Sequence, residues 1–86
     1  MKIQWMFPDS SQALQLLHRP LVLHRRKSYI NDRPYIVVRS GDTGWSVVRV
    51  TFDEETAEEQ DVIAANILLA AEIRVADFKE KHGVAV

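Results

Sequence analysis

The chain has 86 residues, of which 47% are hydrophobic and 27% charged, with no cysteine and a net charge of −1 at pH 7. That composition describes one globular domain, residues 1–86, and excludes both a disordered tail and a framework of disulfides or thiolate-bound metal. The near-neutral total argues against a dedicated nucleic-acid binder, yet it hides a segregation: residues 1–49 carry eight Lys or Arg against three Asp, and residues 50–86 carry three against nine Asp or Glu.

The opening stretch, MKIQWMFPDSS, has an apolar run too short for a signal peptide or a membrane span, so a cytoplasmic protein is expected. Ile3, Trp5 and Phe7 alternate with Lys2, Gln4 and Met6, which predicts a short strand ended by Pro8. Asp9 and Gln12 then stand in capping-box positions, Ala13, Leu14, Leu16 and Leu17 supply an apolar stripe, and Pro20 stops it. A short helix over residues 10–18 is expected.

Three strands follow. Leu21 to Lys27 opens apolar and ends basic, and Asn31-Asp32 makes a turn that returns the chain antiparallel through Tyr35 to Arg39. Gly41-Asp42-Thr43-Gly44 links "YIVVR" to "WSVVRVTF", with glycines where a tight turn needs them. The last third predicts a long helix. Thr56 and Glu59 form a T-x-x-E capping box, acidic residues crowd the start, and Lys79, Lys81, His82 and Gly83 suit the end. The predicted fold is α+β in the order β-α-β-β-β-α: a mostly antiparallel sheet packed by a short N-terminal helix and a long C-terminal helix.

This pattern holds more apolar faces than one sheet and two helices need. At about 100° per residue, Val62, Leu69 and Ile73 fall on one side of the long helix, with Ile63, Ile67, Leu68, Val75 and Phe78 spread over much of the rest. In the two central strands, Tyr35, Val37, Trp45 and Val47 form one parity and Ile36, Val38, Val48, Val50 and Phe52 the other, leaving both sheet faces apolar. Such an excess predicts an interface, and self-association as a homodimer through Ile63, Ile67, Leu68, Val75 and Phe78 is the expectation.

No catalytic constellation emerges. Asp42-Thr43-Gly44 matches the tripeptide of aspartic proteases, but it follows Ser40-Gly41 and precedes Trp45, so the hydrophobic strand that should lead into it is broken. It is read as a turn. His18, His24 and His82 have no metal-ligand spacing, and no phosphate-binding glycine loop is present, so neither metal nor cofactor is expected.

The basic run His24-Arg25-Arg26-Lys27 has three readings. It can be an edge strand guarded by charge, a protein contact or a phosphate-binding strip. Arg25, Arg26, Lys27, Arg33, Arg39, Trp45 and Arg49 are the candidate partner-binding residues. The expected function is a non-enzymatic protein-interaction module, an adaptor, regulatory subunit or inhibitor of a larger complex. In size and in lacking catalytic motifs the chain is similar to small phage-encoded inhibitors of bacterial defence, anti-CRISPR proteins among them, though no motif ties it to any one. The alternative is a nucleic-acid-binding module using the basic strand surface.

Overall fold

The computed structural model describes residues 1–7, 17 and 20–82. Four strands, β1 (Lys2–Trp5), β2 (Leu21–Lys27), β3 (Pro34–Ser40) and β4 (Ser46–Thr51), are followed by one 25-residue helix, α1 (Ala57–Lys81). The strands form one sheet in the order β1-β4-β3-β2, and every pairing is antiparallel. The α+β class and the long C-terminal helix therefore stand. The short helix expected over residues 10–18 lies outside the described residues, and those described contain a single helix. Among them, no helix is long and apolar enough to cross a membrane.

Local chemistry explains the helix boundaries. Thr56 sits in extended geometry, its hydroxyl accepts from Glu59 N at 3.2 Å, and Glu59 Oε1 accepts in return from Thr56 N at 3.2 Å. This reciprocal box satisfies two amides that would otherwise lack partners, and a cap of this kind contributes about 1 kcal/mol. At the other end Lys79 and Lys81 stand in the last turn, where the helix dipole favours positive charge.

Packing then selects one sheet face. Ile36 pairs with Val50 and Val38 with Val48, and all four are buried against the helix together with Phe52. Opposite them lie Ala64, Ile67, Ala71 and Val75. The two alanines are a sheet-facing pair seven residues apart, and their small side chains let the helix backbone approach the sheet. Each large side chain buried here contributes about 1.5–3 kcal/mol.

A bulge modifies the simple alternation. Val38 pairs with Val48 but Arg39 pairs with Ser46, so Val47 is an extra residue on β4. A bulge re-aims the side chain it carries. Val47 consequently turns inward beside Val48, and both are buried. Val47, of the same parity as Tyr35 and Val37, therefore does not share their face. The second sheet face is less apolar than uninterrupted alternation implies.

Candidate functional site

Residues directly opposite one another in paired strands share a face. The face turned away from the helix can thus be followed across the registers. Lys2, Thr51, Tyr35 and Arg26 form one row, and Gln4, Arg49, Val37 and His24 form the next. Ser46, Arg39 and Val22 complete a third. No described element covers this face, and none of the four strands contains a carboxylate. The outcome is an open sheet surface on which half-buried Tyr35 and Val37 of β3 and Val22 of the edge strand β2 are interspersed with Lys2, Arg26, Arg39 and Arg49.

Several of these groups are held in place. The Arg49 guanidinium lies 4.1 Å above the Tyr35 ring, a cation–π contact that orients both. Arg39 donates through Nε and Nη2 to the Gly44 carbonyl, at 3.2 and 3.1 Å, tying the face to the β3–β4 turn. His24 contributes its ring to the central row, and its Nε2 is enclosed without a hydrogen-bond partner among the described residues.

The seven predicted partner-binding residues separate. Arg26, Arg39 and Arg49 meet on the open face. Arg25 has the opposite parity and reaches Asp61 of the helix at 2.7 Å, and Arg33 reaches Asp53 at 2.8 Å. Lys27 is exposed at the end of β2, which is an edge strand. Trp45 belongs to the turn: its amide donates to Ser40 Oγ and its indole N–H to Met6 O, each at 2.9 Å. The tripeptide Asp42-Thr43-Gly44 is part of that same turn.

Sequence reasoning missed Lys2, Tyr35 and the tip of the β2–β3 hairpin. Tyr29 and Ile30 are 96% and 80% exposed there. The loop beneath them is well tied: Asp32 N donates to Ser28 O at 2.8 Å, Ser28 N to Arg33 O at 3.0 Å, and Arg33 N to Asn31 Oδ1 at 3.1 Å. Asp32 adopts a left-handed φ of 57°, which Asp tolerates better than most residues. Two apolar side chains are thus presented to solvent on an ordered support. Their apolar character was a usable signal, since neither flanking strand needed them.

The five residues expected to mediate self-association are instead used within one subunit. Ile67 and Val75 are buried in the core, and Ile63, Leu68 and Phe78 pack against it half-buried. Phe78 stacks on Phe7 with ring centres 5.2 Å apart, and Phe7 stacks on Trp5 at 5.9 Å. Burial removes Ile67 and Val75 as free docking groups, and Ile63, Leu68 and Phe78 spend most of their surface inside the subunit. The large apolar helix residues left exposed are Val62, Leu69 and Ile73, at 61%, 58% and 54%.

A separate cleft of about 660 Å³ is lined by Met1, Arg33, Asp53, Glu54, Glu55 and Glu59. The Met1 α-amine stands 2.9 Å from Asp53 and 3.0 Å from Glu55. The Asp53 backbone N–H, which donates to Glu55 Oε2 at 2.7 Å, and Glu55's own N–H hold the Glu55 carboxyl below the usual glutamate range, with the amine adding to them. Because the folded-state pKa is the lower one, the unfolded chain takes up the proton more readily. The stabilisation is complete above the unfolded value, about 4.3, and is lost as pH falls through the folded value. Urea midpoints for the wild type and Glu55→Gln should therefore differ at pH 7 and converge toward pH 3. A gap unchanged over that range would refute this role.

The described residues thus form an α+β fold whose helix closes one sheet face and leaves the other cationic and uncovered by any described element. Comparison with known protein families, curated proteins and solved structures found no match.

Proposed function

We propose that this protein is a non-enzymatic interaction module that holds an acidic surface of a protein partner on its open sheet face, with Tyr29 and Ile30 as apolar anchors. The observation that carries this reading is the carboxylate-free face of Lys2, Arg26, Arg39 and Arg49 beside an ordered tip with two exposed apolar side chains. Tyr and Arg dominate the energetics of protein contacts, and an exposed Ile on a fixed loop suits a pocket better than a phosphate chain. An adaptor, regulatory subunit or inhibitor would act in this way.

One observation favours nucleic acid as the second reading. The acidic helix lies behind the sheet, so a polyanion on the open face would not run along it. Among the described residues the strands bring just Tyr35 and His24 as rings to that face; Arg49 already covers Tyr35, and His24 is half-buried. That weakens base stacking and keeps protein contact ahead.

Affinity capture from the native host compares wild-type bait with Arg26→Glu/Arg49→Glu and Tyr29→Ala/Ile30→Ala baits. A protein held by the wild type should bind each variant at least roughly 30-fold more weakly, the scale of a hot-spot loss near 2 kcal/mol. Retention by both variants refutes the reading. Mobility shifts with a 30-nucleotide single strand and a duplex, across a salt series, decide the alternative. Binding that weakens steeply with salt and is lost in Arg26→Glu/Arg49→Glu would place nucleic acid first.

A further inference from the structure

We infer that the outer face of the helix of one copy docks onto the open sheet face of a second copy, so that the chain self-associates head to tail. The inference rests on the reading of that sheet face as a protein-contact surface, and it names an occupant for it.

The helix carries an exposed apolar stripe. Val62, Leu69 and Ile73 fall within about 40° of one another, on the side opposite Ala64 and Ala71. Glu58, Asp77 and Glu80 stand within about 60° of its midline, and Glu72 about 80° from it. The helix cations, Arg74, Lys79 and Lys81, all lie about 100° or more from that midline, and two of them are engaged elsewhere. Arg74 covers the Trp5 ring at 4.2 Å, and the Lys79 ammonium donates to the Leu17 carbonyl. The surface is therefore an apolar ridge bordered by carboxylates.

The sheet side is its complement. Its apolar groups are Tyr35 and Val37 on β3 and Val22 on the edge strand β2, interspersed with Arg49 on β4, Arg39 on β3, Arg26 on β2 and Lys2 on β1. Dimensions agree as well. The ridge from Val62 to Ile73 is about 16 Å long, and four strands span about 14 Å between their outer axes. Helices on both faces of a sheet are a common layered solution, so the second copy would supply a layer that the described residues of one copy do not.

The same charges disfavour the symmetric alternatives. Two helix ridges placed together would oppose carboxylate to carboxylate, and two open sheets would oppose cation to cation. Each face repels itself and attracts the other. The contact is heterologous, and unless its rotation closes a ring it propagates.

Two variants of exposed residues, Arg26→Glu/Arg49→Glu on the sheet and Leu69→Asp/Ile73→Asp on the helix, test the arrangement by light scattering. Circular dichroism and urea unfolding confirm that both remain folded. At 50 mM NaCl the wild-type mass should climb above 9.9 kDa as concentration rises from about 10 μM to 1 mM, and it should fall back at 1 M NaCl, where the screening length is about 3 Å. Each variant alone should stay monomeric. Mixed, they should form a 1:1 complex, because each retains the half that the other has lost. A wild type monomeric throughout, a mixture without a complex, or a sheet variant that still associates alone would overturn the inference. Host-partner capture separates this outcome from the reading beneath it. If the wild type captures the partner yet stays monomeric throughout, only the head-to-tail contact falls. If Arg26→Glu/Arg49→Glu keeps it too, the open-face reading falls.

Discussion

A Phe52→Ala variant is expected to lose about 3–5 kcal/mol of stability, the range for truncating a buried aromatic residue. Phe52 is buried where β4 leads into the loop that carries the helix cap, and its amide donates to Pro34 O at 3.0 Å. Removing the ring would open a void between Ile36 and the first turns of the helix. A domain of this length has a total stability of about 4–13 kcal/mol, so the loss can consume most of it. Urea unfolding followed by near-ultraviolet circular dichroism should show a much lower midpoint or no cooperative transition at 25 °C. Phe52→Leu, which refills much of the space, should retain a cooperative transition. A loss below about 1.5 kcal/mol for the alanine variant would mean that the helix and sheet are not joined through this residue.

Gly44→Ala is the second substitution with a large expected effect. A Cβ at Gly44 would overlap the carbonyl oxygen and the Oγ of Ser40. Ser40 is itself buried, its Oγ accepts from the Trp45 amide, and its N–H donates to Trp45 O at 2.9 Å. Backbone cannot swing aside as a flexible side chain can, so the turn must shift at a cost of about 1–3 kcal/mol. The consequence reaches the open face. The Gly44 carbonyl accepts both hydrogen bonds from Arg39, and a displaced turn releases that guanidinium. Denaturant unfolding should report the lost stability, and partner capture at a temperature where the variant is folded should report weaker binding. Normal stability would show that the turn accommodates the methyl group and that glycine is not required there.

These expectations explain what Asp42-Thr43-Gly44 does in this fold. Gly41 adopts φ 74° and Gly44 lies against Ser40, so both glycines serve the connection between β3 and β4. A short motif shared with a catalytic family is here satisfied by turn geometry.

Local signals carried the hairpins and the helix. Asn31-Asp32, Gly41 to Gly44 and the Thr56–Glu59 box each act over a few residues, and the backbone conformations they favour are adopted. Face assignment was less legible. One bulge at Val47 broke the period of two and moved a valine into the core, leaving Tyr35 and Val37 on the open face without Val47 of the same parity. The basic run changed meaning for the same reason. Alternation sends Arg25 toward Asp61 and Arg26 to the other side, so adjacent residues do different things.

The sequence by itself determined the α+β class, the strand segments of both hairpins, and the start of the long helix. Those features depend on turn chemistry, capping and periodicity within short windows. Only the tertiary structure decided that β1 joins β4, that Lys2 thereby enters a row with Tyr35 and Arg26, and that Ile67, Val75 and Phe78 serve their own subunit. Pairing between distant strands depends on which apolar surfaces meet, and hydrophobic attraction has no direction that a local pattern can encode. The contact surface is therefore a product of assembly: charges far apart in the chain become neighbours once the helix has taken the other face.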